Sequence, residues 1–213
     1  MELFSYFRSS AAYRLRIALN LKGIPFEYAA VNLLRSEQSS TDYTQLNPLG
    51  LVPALRLDSG DVLTQSIAIL EWLEEAYPAP ALLPTGPNER AKVRAVVNII
   101  ACDVHPICNL SVTRYLATHF EAGKDDLLHW YCAWMSRGFH ALQNLIGEHG
   151  GPYCFGDSPS LADVCLVPQL YNARRFDISL DAFPALRRVD AQCRQLDAFS
   201  SASPELQPDA LPP

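Results

Sequence analysis

At 213 residues, 49% hydrophobic and 19% charged, the chain reads as folded over most of its length and is long enough for one large domain or two small ones. A formal net charge of −6, with no cluster of lysine or arginine, argues against nucleic acid or an anionic membrane as a main partner. No apolar run approaches the ~20 residues that span a bilayer. Met1-Glu2-Leu3-Phe4 has no basic region before a hydrophobic run, so no signal peptide and a cytoplasmic address are expected.

The elements run in two textures. Glu2 to Tyr6 is a short strand, and Ser9 to Lys22 places Ala11, Leu15, Ala18 and Leu19 on one face of a helix that Gly23-Ile24-Pro25 stops. Phe26 to Leu33 reads as a second strand, parallel to the first by the β-α-β rule. Val52 to Leu57 and Asp61 to Thr64 form a hairpin around Asp58-Ser59-Gly60, and Ser66 opens a helix to about Tyr77. The prolines of Pro78-Ala79-Pro80-Ala81-Leu82-Leu83-Pro84 then break the pattern. Beyond them every segment reads as helix: Asn88 to Phe120, Lys124 to Gly147, Leu161 to Arg175 and Phe183 to Phe199. Ser160-Leu161-Ala162-Asp163 is a capping box. The proline-rich tail from Pro204 is expected to be loosely held. The resulting expectation is a domain at 1–80, a linker at 81–87 and an all-helical domain at 88–213.

Six cysteines (Cys102, Cys108, Cys132, Cys154, Cys165, Cys193) lie from residue 102 onward without a C-x-x-C pair, which suits neither zinc nor a disulfide framework and is expected to mean buried reduced thiols. No metal site is expected.

The β-α-β-α-β-β-α order of the first half is that of a thioredoxin-like domain. Val52-Pro53 sits just before the third strand, where that fold holds a cis-proline that turns the preceding backbone toward a ligand. The turn Phe7-Arg8-Ser9-Ser10-Ala11 carries two serines where redox members carry a cysteine, so a disulfide oxidoreductase is excluded. A hydroxyl at this helix N-terminus suits an anionic sulfur brought in by a ligand; N-capping accounts for Ser9 or Ser10 equally well at this level. Gln65-Ser66 opens another helix and makes a carboxylate site, again with N-capping as the plain alternative.

The run Ser9-Ser10-Ala11-Ala12-Tyr13-Arg14-Leu15-Arg16-Ile17-Ala18-Leu19 closely resembles the S-S-C-x-x-R-V-R-I-A-L signature of zeta-class glutathione transferases, the family that includes maleylacetoacetate and maleylpyruvate isomerases. The likeness continues through Leu46-Asn47-Pro48, Val52-Pro53, Gln65-Ser66, Asn109-Leu110-Ser111, Gly156-Asp157, Leu161-Ala162-Asp163 and Asn172-Ala173-Arg174-Arg175-Phe176, and so covers nearly the whole chain. It implies the glutathione transferase fold, glutathione as cofactor, and a homodimer. Carried over by residue, it implies Ser9 and Ser10 at the sulfur, Val52 and Pro53 at the cysteinyl backbone, and Gln65 and Ser66 at the γ-glutamyl carboxylate. Gln38 is implied at the glycyl end, with His105, Asn109, Leu110 and Ser111 finishing the pocket. The family's cysteine is Ala11 here and its tryptophan is Tyr13, which touches activities that use a protein thiol but leaves the serines in place.

The activity so implied is glutathione-dependent cis-trans isomerisation of an unsaturated keto diacid by reversible thiolate addition. That chemistry needs cations for carboxylates and a developing enolate, and the family comparison selects Arg8 and Arg175. Arg14, Arg16 and Arg174 read as solvated surface residues, and His119, His129, His140 and His149 as structural or exposed. The N-L-S form at Asn109 to Ser111 points to maleylacetoacetate and aromatic amino-acid breakdown. Rival readings are maleylpyruvate isomerisation, conjugation of small electrophiles such as α-halo acids, and a catalytically silent interaction module.

Overall fold

A computed structural model describes residues 1–149 and 151–210. The chain divides into two compact units, Met1–Leu82 with Arg194–Pro213 and Leu83–Cys193. The sequence reading gave 88–213 to the helical domain, whereas the segment from Arg194 packs with the first unit.

In the first unit, β1 (Glu2–Ser5), α1 (Ser10–Leu21) and β2 (Glu27–Ala30) form the expected parallel β-α-β unit, with Glu2 opposite Glu27 and Ser5 opposite Ala30. α2 (Thr41–Leu46) follows, the helix that the β-α-β-α-β-β-α order places between the second and third strands, although its six residues are too short for periodicity to bound it. β3 (Ala54–Arg56) and β4 (Val62–Thr64) make the antiparallel hairpin, and α3 (Ser66–Ala76) closes the run. The sheet order is β2-β1-β3-β4, with β1 antiparallel to β3. This is the thioredoxin-like arrangement.

α1 ends as the sequence predicts. Gly23 takes the left-handed conformation (φ 65°) that a side chain would strain, and the Ile24 and Gly23 N–H groups close on the Leu19 and Asn20 carbonyls. Its surroundings are not as predicted, because Ser10 through Leu19 are buried on every side. One side packs on α3 and another on α9 (Asp197–Ser200) of the returning segment. Tyr13, Arg16 and Asn20 share a helical face, and each donates to that segment: Tyr13 Oη to Phe199 O (3.3 Å), Arg16 Nε to Ala202 O (3.0 Å), Asn20 Nδ2 to Ala198 O (3.2 Å). The tail is therefore held, not loose. Pro204 is buried, and Ala210 packs on Tyr6, Phe7, Val31, Tyr43 and Val52. Residues 211–213 of that expectation lie outside the described residues.

Among its described residues the second unit has helices as its only regular structure. The predicted single helix Asn88 to Phe120 is three pieces: α4 (Pro87–Asn98), a π-helical stretch (Ile99–Val104) and, after a turn, α5 (Leu110–His119). Pro106 explains the break, since it has no N–H to continue the ladder. α6 (Lys124–Gly147) and α7 (Leu161–Arg175) match their predicted bounds. The π stretch sits close on α6, where a Cβ on Gly138 would meet Val104 Cγ2 at 2.3 Å. α8 (Pro184–Cys193) ends short of the predicted Phe199, and Leu196 starts α9 as a separate turn. The capping box forms as read: Asp163 accepts from the N–H of Ser160 and of Cys154, both at 2.8 Å. Only Cys154, Cys165 and Cys193 are buried; Cys102 and Cys132 are exposed, which corrects the expectation of six buried thiols.

Candidate active site

The α1 turn is built from its cap outward. Ser9 is extended (φ −68°, ψ 113°), and its Oγ accepts from Ala12 N at 3.2 Å, so it is the N-cap. Capping uses the oxygen and not the proton, so the same hydroxyl keeps a donor for an anion beside the positive end of α1. The capping and ligand readings of Ser9 are thus compatible. Ser10 is the first helical residue and is buried, so Ser9 is the more accessible of the two. Arg8 is exposed, its guanidinium 4.9 Å from the centre of the Phe7 ring. Ala11 is buried and brings no thiol.

Arg14 ties α1 to the start of α3. Arg14 is one helical turn beyond Ser10 on the same face. It is 1% exposed, and its Nη1 donates to Ser66 Oγ at 3.2 Å. Ser66 is buried and, having accepted from a cation, keeps its own proton to donate. Gln65 precedes it at φ 69° and ψ 112°, a left-handed backbone that a non-glycine residue holds only where the surroundings impose it, and its side chain does not cap α3. The first turn of α3 therefore offers amides, a hydroxyl donor and a buried positive charge beneath them. That donor set fits a carboxylate.

Arg14 and Arg16, read from sequence as solvated surface residues, are among the most deeply buried side chains of the unit. Arg16 donates to Ser5 Oγ (3.2 Å), Phe7 O (3.0 Å) and Ala202 O. Val52-Pro53 is cis, as its sequence context predicts. Gln38 lies in a helical turn, Glu37–Ser39, against the 47–50 loop. A Cβ on Gly50 would stand 3.0 Å from the Gln38 carbonyl oxygen, and the Gln38 Oε1 is buried without a hydrogen-bond partner.

In the second unit, Asn109 is the N-cap of α5, accepting from Ser111 N (3.0 Å) and Ser111 Oγ (3.3 Å). His105 ends the π stretch, and Leu110 is 39% exposed. Arg175, at the end of α7, stands 4.4 Å from the Phe176 ring, which stacks on Tyr131 at 3.9 Å. Tyr131 in turn donates to Thr113 of α5 at 3.3 Å. One polar-aromatic chain thus connects the Arg175 end of α7 to α5. A groove of about 410 Å³ on this unit, lined by Cys102, Asp103, Trp134 and Arg137 among others, includes none of the expected site residues. Among the described residues no cluster of three or more His, Cys, Asp or Glu is placed to hold a metal, and no helix is long and apolar enough to cross a membrane.

A four-stranded mixed sheet with a cis-proline before β3, followed by a helical unit, defines a glutathione transferase. Residues 8–76 match the glutathione S-transferase N-terminal domain family. A maleylpyruvate isomerase of a Ralstonia species is 49% identical over 213 residues, 99% of this chain and 100% of the relative. A holo structure of a maleylpyruvate isomerase, described as a bacterial zeta-class glutathione transferase, is 48% identical with a TM-score of 0.97 and covers 99% of this chain and 100% of its own. The maleylacetoacetate isomerase of Anaeromyxobacter dehalogenans, with glutathione bound in its active site, is 44% identical with a TM-score of 0.89, covering 99% of this chain and 97% of its own. The chain belongs to the zeta-class glutathione transferase family that includes the maleylpyruvate and maleylacetoacetate isomerases.

Proposed function

We propose that the protein is a glutathione-dependent isomerase that converts maleylacetoacetate to fumarylacetoacetate. The observation that carries this reading is the run from the Ser9 cap through Ser10 and buried Arg14 to Ser66, which joins an anion-favouring turn to a carboxylate-favouring one. Bound glutathione supplies a sulfur nucleophile whose reversible addition to the maleyl double bond frees that bond to rotate. Ser9 donates a hydrogen bond from its hydroxyl to the sulfur anion, and the N-terminus of α1 lowers the cost of that charge. Ser66 and the first amides of α3 hold the γ-glutamyl carboxylate, and Arg14 stiffens and polarises the Ser66 hydroxyl. Val52 and Pro53 serve the cysteinyl backbone, Gln65 the γ-glutamyl end and Gln38 the glycyl end. Arg8 takes a substrate carboxylate or the oxygen on which charge develops.

For the second unit we propose a substrate-side role, with Arg175 as its cation and His105 and Asn109 to Ser111 as its polar turn. A homodimer and a cytoplasmic address belong to the same reading, and light scattering near twice 23.6 kDa checks the dimer.

The 49% identity to a maleylpyruvate isomerase favours maleylpyruvate as the second reading. Ultraviolet-monitored turnover of both maleyl acids, with and without glutathione, decides between them. Conversion that requires glutathione is expected, faster for maleylacetoacetate; glutathione binding with no conversion of either acid sinks the isomerase reading.

A further inference from the structure

The backbone of Phe7, one residue before Arg8 and two before Ser9, is held on both sides of its Cα. Its carbonyl accepts from Arg16 Nη2 at 3.0 Å. Its N–H donates to Asp209 Oδ2 at 3.0 Å, across 202 residues of sequence. The second Asp209 oxygen accepts from Tyr28 Oη at 2.6 Å. Burial, reinforced by the hydrogen bond to Asp209, pushes the Tyr28 phenol well above its ordinary pKa, so it stays a donor throughout the working pH range. Ala210, the next residue, packs on the cluster that contains Phe7 and Val52. The returning segment thereby reaches the two backbone stretches that the proposed function assigns to the sulfur end and to the cysteinyl backbone.

A residue whose two flanking peptide groups are both held has little freedom in the φ and ψ that aim the next residues. Losing the acceptor would leave a part-buried N–H without a partner, and the loop would shift to recover one. We propose that Asp209 is a positioning residue for the reaction, setting the direction in which Arg8 and Ser9 leave Phe7. The proposal rests on the functional reading above.

The test compares wild type with Asp209→Ala, Asp209→Asn, Asp209→Glu and Tyr28→Phe in three measurements. These are turnover at saturating glutathione, the pH at which bound glutathione ionises (read from its ultraviolet thiolate absorbance), and affinity for S-methylglutathione by calorimetry. For Asp209→Ala turnover falls about tenfold or more, since displacements near 1 Å are enough for such losses. The bound thiol ionises at higher pH, while S-methylglutathione, held by the γ-glutamyl and cysteinyl contacts, binds as before. Asp209→Asn keeps an acceptor for Phe7 N–H and recovers most of the turnover. Tyr28→Phe removes only the far partner and has a smaller effect than Asp209→Ala. Asp209→Glu keeps the charge but pushes the loop by a methylene, so its turnover also falls, and it stands in if the alanine variant does not fold.

Wild-type turnover and ionisation in both Asp209→Ala and Asp209→Glu would overturn the proposal. So would a loss of S-methylglutathione affinity in step with turnover, which is the mark of general damage. If the wild type binds neither ligand, the functional reading itself fails and takes this inference with it.

Discussion

The turns that open α1 and α5 begin alike and are supported differently. Each starts with a capping side chain, Ser9 in one and Asn109 in the other. Behind Ser9 the chain is fastened by Arg16 and Asp209, and the helix it opens is buried on all sides. Behind Asn109 lie a π stretch and a proline turn, and of α5 only Thr113 is buried. The first turn is fastened from both sides, as the cofactor site proposed for it requires. The second leaves exposed positions such as Leu110 and Ser111, where a family can vary its substrate without disturbing the fold. Under the proposed function, the more firmly fastened turn is the one assigned to the cofactor, which does not vary, and the more exposed turn is the one assigned to the substrate side.

The comparison breaks most readily at Arg16. Arg16→Met strips three acceptors of their donor, and a loss of about 3 kcal/mol or more in urea unfolding is expected; a loss below about 1 kcal/mol would mean the first turn is not fastened as described. Next comes Ser9→Ala, for which turnover should fall about 100-fold, as on removal of one preorganised donor. That exceeds the roughly 1 kcal/mol that losing an N-cap costs in stability, so equal losses in the two assays would reduce Ser9 to a cap. Arg14→Met should weaken glutathione binding about tenfold by calorimetry, the scale of one charge-assisted hydrogen bond. Unchanged affinity would separate Arg14 from the carboxylate site. Asn109→Ala is the smallest change: about 1 kcal/mol of stability by thermal unfolding, with the affinity for glutathione left close to wild type. A large drop in that affinity would show the second turn to be as exacting as the first.

Much of this was legible from sequence, and the gaps share a cause. Strand order, the cis-proline context, the capping box at Ser160 and the bounds of α6 and α7 rest on local chemistry, which a linear string displays. Arg14 and Arg16 were misread because polar residues in an amphipathic helix ordinarily mark its wet face. Here Arg14 is covered from α3, where it meets Ser66 52 positions on, and Arg16 from the returning segment, where it meets Ala202 186 positions on, and no periodicity announces such partners. The break at Pro106 was visible and passed over in favour of one long helix. The serine turn could be named from its residues and its family likeness. Its support could not, because Asp209 sits in a proline-rich stretch whose composition suggests a loose end.

That the first unit is made from both ends of the chain sets the order in which it can be finished. During synthesis the carboxylate that ties the serine turn follows 202 residues after Phe7. The Tyr13, Arg16 and Asn20 face of α1 closes on Ala198, Phe199 and Ala202 only after the whole helical unit has been made. A stop codon placed shortly before Asp209 would therefore act on the beginning of the protein, leaving its last helices intact and its first turn untied.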